Sequence, residues 1–171
     1  MKKLILIYLD SYLFIHIKKM GTRGLFGFKW KGKYYLVYNH HDSFDLRYDL
    51  VREIKEMLSS GQRDAWIKML ENIIIVDEET KPAECDIEKL KKYADLGVST
   101  RSTTDWHCLL SRTQGSYVAV LESGYMINYS EEYLTGDLHI ECSYVLDFDK
   151  NTFAFYTSKK GLVYEQDINT L

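Results

Sequence analysis

Leu25-Phe26-Gly27-Phe28-Lys29-Trp30, Lys31-Gly32-Lys33 and Tyr34-Tyr35-Leu36-Val37-Tyr38 follow one another, two aromatic and apolar runs around a short polar break. The break contains a glycine free to take positive φ, so the stretch predicts a β-hairpin. Downstream, the period changes. From Asp45, Leu46, Leu50, Ile54 and Leu58 recur every fourth residue until Ser59-Ser60-Gly61, which predicts a helix with a glycine stop. Ala65, Trp66, Met69 and Leu70 predict a second helix, and the apolar run from Ile73 to Val76 a short buried strand.

Asp77 to Glu84 holds the only proline and reads as loop. A third helix is expected, capped by Asp86, carrying Ile87, Leu90 and Tyr93 and ending near Gly97. Ser99 to Thr104 is rich in hydroxyls and reads as loop. Trp106, Leu109 and Leu110 then open a helical segment that Val118 and Leu121 continue to Gly124. Near the end, Ile140, Cys142, Tyr144, Leu146 and Phe148 alternate with polar residues, and Phe153 and Phe155 alternate after Asp149-Lys150-Asn151. This predicts a second hairpin with one face buried. A lone hairpin is marginal in water, so the two are expected to join in one antiparallel sheet with the helices packed on it, an α+β fold.

The chain has 171 residues, 46% of them hydrophobic, enough for one buried core. We expect a single domain over 20–171. Residues 1–19 are set apart as an N-terminal extension, either upstream of a true start at Met20 or supplying an extra strand. Lys2-Lys3 and the apolar run after them resemble a secretory signal, but Asp10 interrupts the run and no small-residue cleavage site follows. The run is also shorter than the roughly 20 residues of a spanning helix, which argues against a membrane anchor. A net charge of -3 offers no basic footprint for nucleic acid. Cys85, Cys108 and Cys142 lack CxxC spacing, so neither a zinc site nor a disulfide framework is indicated and a reducing, cytoplasmic setting is expected. No dinucleotide, Walker, H-E-x-x-H or EF-hand pattern occurs, and no cofactor is expected.

Register arithmetic brings polar residues together. With the turn centred on Gly32, facing residues have numbers summing to about 64, so Gly24 faces His40 and Thr22 faces Asp42. Thr22 and Arg23 would then lie beside Asn39, His40, His41, Asp42 and Ser43, opposed side chains about 5 Å apart. Simpler roles are available for each. Asp42 with Ser43 would cap the following helix, Arg23 would pair with Asp42, and adjacent histidines on a strand point to opposite faces. His139 and Glu141 share one face with Cys142 on the other, and no deaminase PCxxC follows.

Gly21-Thr22-Arg23-Gly24, the hairpin and Tyr38-Asn39-His40-His41-Asp42-Ser43 resemble an uncharacterised family of fungi, phages and large DNA viruses. Its members open Met-(Cys or Gly)-Thr-Arg-Gly and continue to Tyr-Asn-His-x-Asp-Ser. Leu121 to Met126 and Tyr144 to Asp149 resemble it too, so the likeness spans roughly 20 to 157. More distantly, the opening is similar to N-terminal-nucleophile hydrolases of the choloylglycine hydrolase type, which implies a related sheet with Asn39 and Asp42 as loose counterparts of substrate-holding residues. Those enzymes need a thiol or hydroxyl at the chain start, and Gly21 supplies neither. The expected function is therefore a non-catalytic domain that binds a small polar ligand or a protein through Thr22, Arg23, Asn39, His41, Asp42 and Ser43. The alternatives are an amidohydrolase using Thr22 after processing, and a pure interaction module of unrelated fold.

Overall fold

The computed structural model describes residues 21–40, 42–95, 105–135 and 139–171. The expected start at Met20, the extension 1–19, the loop from Ser99 to Thr104 and the helix end at Gly97 lie outside these residues. The fold is α+β. Strands β1 (Gly24–Trp30) and β2 (Lys33–Asn39) form the first hairpin, closed by Lys31 and Gly32 with φ of 51° and 73°. Two successive positive φ values match the twist of the flanking strands. The Asp149 carboxylate fixes this turn, accepting from the Lys31 and Gly32 amides at 2.8 and 2.9 Å.

Helices α1 (Leu46–Ser59) and α2 (Arg63–Glu71) follow, then β3 (Ile74–Val76) and α3 (Glu84–Leu90), which runs into a 3₁₀ turn at Lys91–Tyr93. Asp86 is the third residue of α3 rather than its cap, and its carboxylate accepts from the Ala83 amide at 3.0 Å. The helical segment expected from Trp106 to Gly124 is broken. Helix α4 covers Trp106–Leu109, a 3₁₀ turn Ser111–Thr113, and α5 Tyr117–Ser123, because the Ser116 hydroxyl starts a fresh helix by accepting from the Ala119 amide at 3.0 Å. Strand β4 (Tyr125–Ile127) and helix α6 (Ser130–Thr135) lead to β5 (Cys142–Asp147), β6 (Thr152–Thr157) and β7 (Gly161–Asp167). The second hairpin thus extends into a third strand that the alternation did not predict.

The main sheet runs β2-β1-β5-β6-β7 and is antiparallel except where the hairpins meet. There β1 pairs parallel to β5, from Gly24 with Cys142 to Lys29 with Asp147. The long helical stretch between them lets the chain return to the same end of the sheet, which a tight turn could not do. Alternation then sorts side chains to two faces. Phe26, Phe28, Tyr144, Leu146 and Phe153 pack with Leu50, Ile54 and Met57 of α1, Trp66, Ile67 and Leu70 of α2, and Tyr117, Val120 and Leu121 of α5. Leu25, Leu36 and Val145 form a smaller cluster on the opposite face, with Tyr129, Tyr133 and Ile140 against it. Strand β5 is consequently buried on both sides, not on one as alternation suggested.

Strand β3 pairs in parallel with β4 as a separate two-stranded sheet, and its outer position leaves Ile74 and Ile75 about half exposed, so this strand is not buried. A further cluster of Leu90, Tyr93, Trp106, Leu109, Leu110 and Tyr125 joins α3, α4 and β4. No helix among the described residues is long and apolar enough to cross a membrane.

Candidate functional site

The end of the sheet where β1 begins gathers most residues singled out from the sequence. The observed pairing is Gly24 with Asn39 and Trp30 with Lys33, one residue short of the expected register. Because Lys31 itself takes positive φ, the loop has two residues and facing numbers sum to 63, as 24 and 39 do. A one-residue slip exchanges the faces of a strand.

The consequence is a buried polar corner. Ser43 is fully enclosed, Asn39 is 5% and Thr22 7% exposed. The Asn39 side-chain amide donates to Ser43 Oγ at 2.8 Å, Ser43 Oγ lies 3.3 Å from the Asn39 carbonyl, and the Ser43 amide donates to the Thr22 carbonyl at 3.4 Å. Ser43 therefore ties β2 to β1 and does not cap α1. Asp42 does not cap it by its side chain either: it stands exposed at φ 47°, and its carbonyl accepts from the Asp45 amide at 2.9 Å. Among the described residues Arg23 and Asp42 form no ion pair. His41 lies outside the described residues. The His40 amide donates to Gln114 Oε1 at 3.2 Å and its Nδ1 lies 3.1 Å from the Tyr38 hydroxyl.

Of the residues proposed to bind a ligand, Arg23 lines a larger cavity. With Gly21, His139, Ile140, Glu141 and Ser158 it borders a cavity of about 360 Å³, at the lower end of ordinary small-ligand sites. The backbone builds its walls: the Glu141 amide donates to the Arg23 carbonyl at 2.9 Å, and the Ser158 amide to the Glu141 carbonyl at 3.1 Å. Glu141 Oε2 is enclosed and has no hydrogen-bond partner among the described residues. An enclosed carboxylate oxygen without a donor is costly and rare. Next in sequence, Cys142 is buried, and burial followed by the nearby Glu141 charge pushes its thiol up to about 12. It is therefore a neutral, unreactive group at neutral pH.

A second group of titratable residues lies on the β2 side. The Tyr129 hydroxyl donates to the Glu78 carboxylate, which also lies 3.0 Å from His107 Nε2, and the Tyr129 and His107 groups are 3.4 Å apart. Partial burial would raise the Glu78 carboxyl, but the bonds from Tyr129 and His107 outweigh it and hold the group below its ordinary range. Burial and the Glu78 charge push the Tyr129 hydroxyl well up. The adjoining cavity, lined by Val37, Leu110, Met126 and Ile127 beside these rings, has only about 20 Å³, room for about one water. Nothing in the sequence pointed to this trio, whose members come from a loop, α4 and the segment before α6.

His139 and Glu141 were legible as sharing a face, and both line the larger cavity. Their partner Ser158 carried no sequence signal, because it follows β6 and meets the others only through sheet pairing. Among the described residues no group of three or more His, Cys, Asp or Glu side chains is placed to hold a metal ion. Comparison with protein-family models, with curated proteins and with solved structures gives no match.

Proposed function

We propose that this chain is a ligand-binding domain, built on a sheet of the N-terminal-nucleophile kind without the terminal nucleophile, that holds a small polar or amide-bearing ligand at the end of the sheet. The observation that carries this reading is that the exposed Arg23 and Glu141, one of whose carboxylate oxygens is enclosed without a partner, line one cavity of about 360 Å³. A ligand N–H would donate to the Glu141 carboxylate while a ligand oxygen accepts from the Arg23 guanidinium. Primary amides and amino acids present both groups at the right scale. Ser158 and His139 add further polar contacts at the rim.

In this reading Thr22, Asn39 and Ser43 hold the corner rigid and Arg23 touches the ligand. Catalysis is disfavoured by the chemistry available: Gly21 has no side chain, Thr22 is buried, and the Cys142 thiol is held neutral. Three free cysteines fit a reducing, cytoplasmic setting.

The test is a titration of the folded protein with glutamine, asparagine, glycinamide and N-acetylglycine, followed by amide NMR shifts and calorimetry. Saturable binding by one of them, with shifts at Arg23, Glu141 and Ser158 and loss of binding in Arg23→Ala and in Glu141→Gln at unchanged melting temperature, is expected. A panel that leaves those resonances unmoved removes the proposal.

A further inference from the structure

The two edges of the main sheet are treated differently. The outer edge of β2 is occupied: the Leu36 amide donates to Asn128 Oδ1 at 2.9 Å, the Leu36 carbonyl accepts from the Tyr129 amide at 2.8 Å, and the Tyr34 carbonyl lies 3.3 Å from Asn128 Nδ2. The outer edge of β7 has no strand beside it among the described residues. There Leu162 and Val163 are 50% and 44% exposed, in a strand whose backbone groups form a template for another strand. Apolar surface continues from this edge onto the helix side. Phe44, 44% exposed, packs on Phe155 at 6.3 Å between ring centroids, and Phe155 packs on Tyr164 of β7 at 5.6 Å.

The charges along this edge choose the occupant. Lys159 and Lys160 precede the strand, and Glu165 and Asp167 end it. A second copy laid parallel would set lysines against lysines and carboxylates against carboxylates. Laid antiparallel about a two-fold axis between Leu162 and Val163, it sets Leu162 opposite Val163 of the other copy and Lys160 opposite Glu165 of the other copy. Symmetry makes each contact twice. Opposed opposite charges on neighbouring strands favour the antiparallel arrangement, and like charges disfavour the parallel one. The β6–β7 register shift, which leaves Val163 without a partner in β6, adds local twist at the centre of the strand.

We infer that the chain self-associates through β7, two five-stranded sheets joining edge to edge as an antiparallel dimer. Glu165 keeps its intrachain contacts with Thr152 Oγ1 at 3.0 Å and Lys150 Nζ at 3.5 Å, and it gains a third from Lys160 of the other copy.

Sedimentation equilibrium and light scattering of the full chain from micromolar to millimolar concentration test this. The expected mass is twice the chain's 20.1 kDa, falling to one chain mass in Lys160→Glu and in Glu165→Lys at unchanged circular dichroism, and returning to the dimer in the Lys160→Glu, Glu165→Lys double variant. A monomer at every concentration overturns the inference. So does a dimer that neither single variant weakens, or one that the double exchange fails to restore.

Discussion

Ser43 occupies the space that a side chain at position 24 would need: a Cβ built on Gly24 comes within 2.5 Å of Ser43 Cβ and 2.7 Å of its Oγ. The β1 backbone and the start of the α1 approach are therefore in contact at this buried corner. Gly24→Ala should destabilise the fold by about 1–3 kcal/mol, the usual cost of overpacking. Ser43→Gly in the same chain should return part of that loss, because the two changes act on one contact and will not add. Urea unfolding of the four members of the cycle measures it. Additive losses would mean that the corner yields elsewhere.

Asn39 and Arg23 lie on opposite sides of a distinction between holding the corner and meeting a ligand. Asn39→Ala removes the donor to Ser43 Oγ inside a buried pair, at a cost of about 1–3 kcal/mol. Arg23→Ala alters an exposed side chain and should stay within about 0.5 kcal/mol of the parent. Thermal unfolding of both variants decides it. An Asn39→Ala chain as stable as the parent would show the buried network to be dispensable.

How far the sequence foretold this arrangement depends on how local each feature is. The first hairpin and α1 were legible because residues 25 to 38 and the four-residue spacing from Leu46 to Leu58 carry their own periodicity. The register failed by one residue because it rests on Lys31 taking φ of 51°, a conformation that costs a lysine energy and that here accompanies the distant Asp149 carboxylate. Strand β7 was missed because Glu165, Gln166 and Asp167 dilute its apolar pattern, and β4 because three residues show no period. The parallel junction of β1 and β5 has no local cause at all. The cavity follows the same rule: His139 and Glu141 were near enough in sequence to be related, while Arg23 and Ser158 meet them only in the sheet.

Two carboxylates should respond to acid in opposite senses. Glu53 is held at the start of α5, accepting from Ser116 Oγ at 2.6 Å and from the Tyr117 and Val118 amides at 2.7 and 3.2 Å. Burial nevertheless prevails over these bonds and raises its pKa. The folded chain then binds this proton more readily than the unfolded chain, so stability attributable to Glu53 is greatest at low pH and declines as pH rises through the raised folded value. Asp149 is the reverse. The Gly32 amide, with the Lys31 amide behind it and partial desolvation opposing, lowers its pKa, so its contribution is present above the unfolded carboxyl range and is lost as pH falls through the lowered folded value. Denaturant unfolding of the parent, Glu53→Gln and Asp149→Asn from acid to neutral pH reads both slopes. On acidification the parent should gain on Glu53→Gln and lose ground to Asp149→Asn, and slopes of the same sign would refute the assignment.

Thiol reactivity separates a binding site from a covalent one. All three cysteines are free, Cys85 is exposed, and Cys108 and Cys142 are buried. Cys142 follows Glu141 in sequence, but its side chain packs in the main core, and a reactive thiol there would be a candidate nucleophile beside the cavity-lining strand. Its pKa of about 12, set first by burial and then by the Glu141 charge, leaves almost no thiolate at neutral pH. Iodoacetamide should therefore modify Cys85 alone in the native protein and all three residues after unfolding, as peptide mass mapping would show. Rapid native labelling at Cys142 would contradict that assignment and reopen the case for acyl transfer at the sheet end.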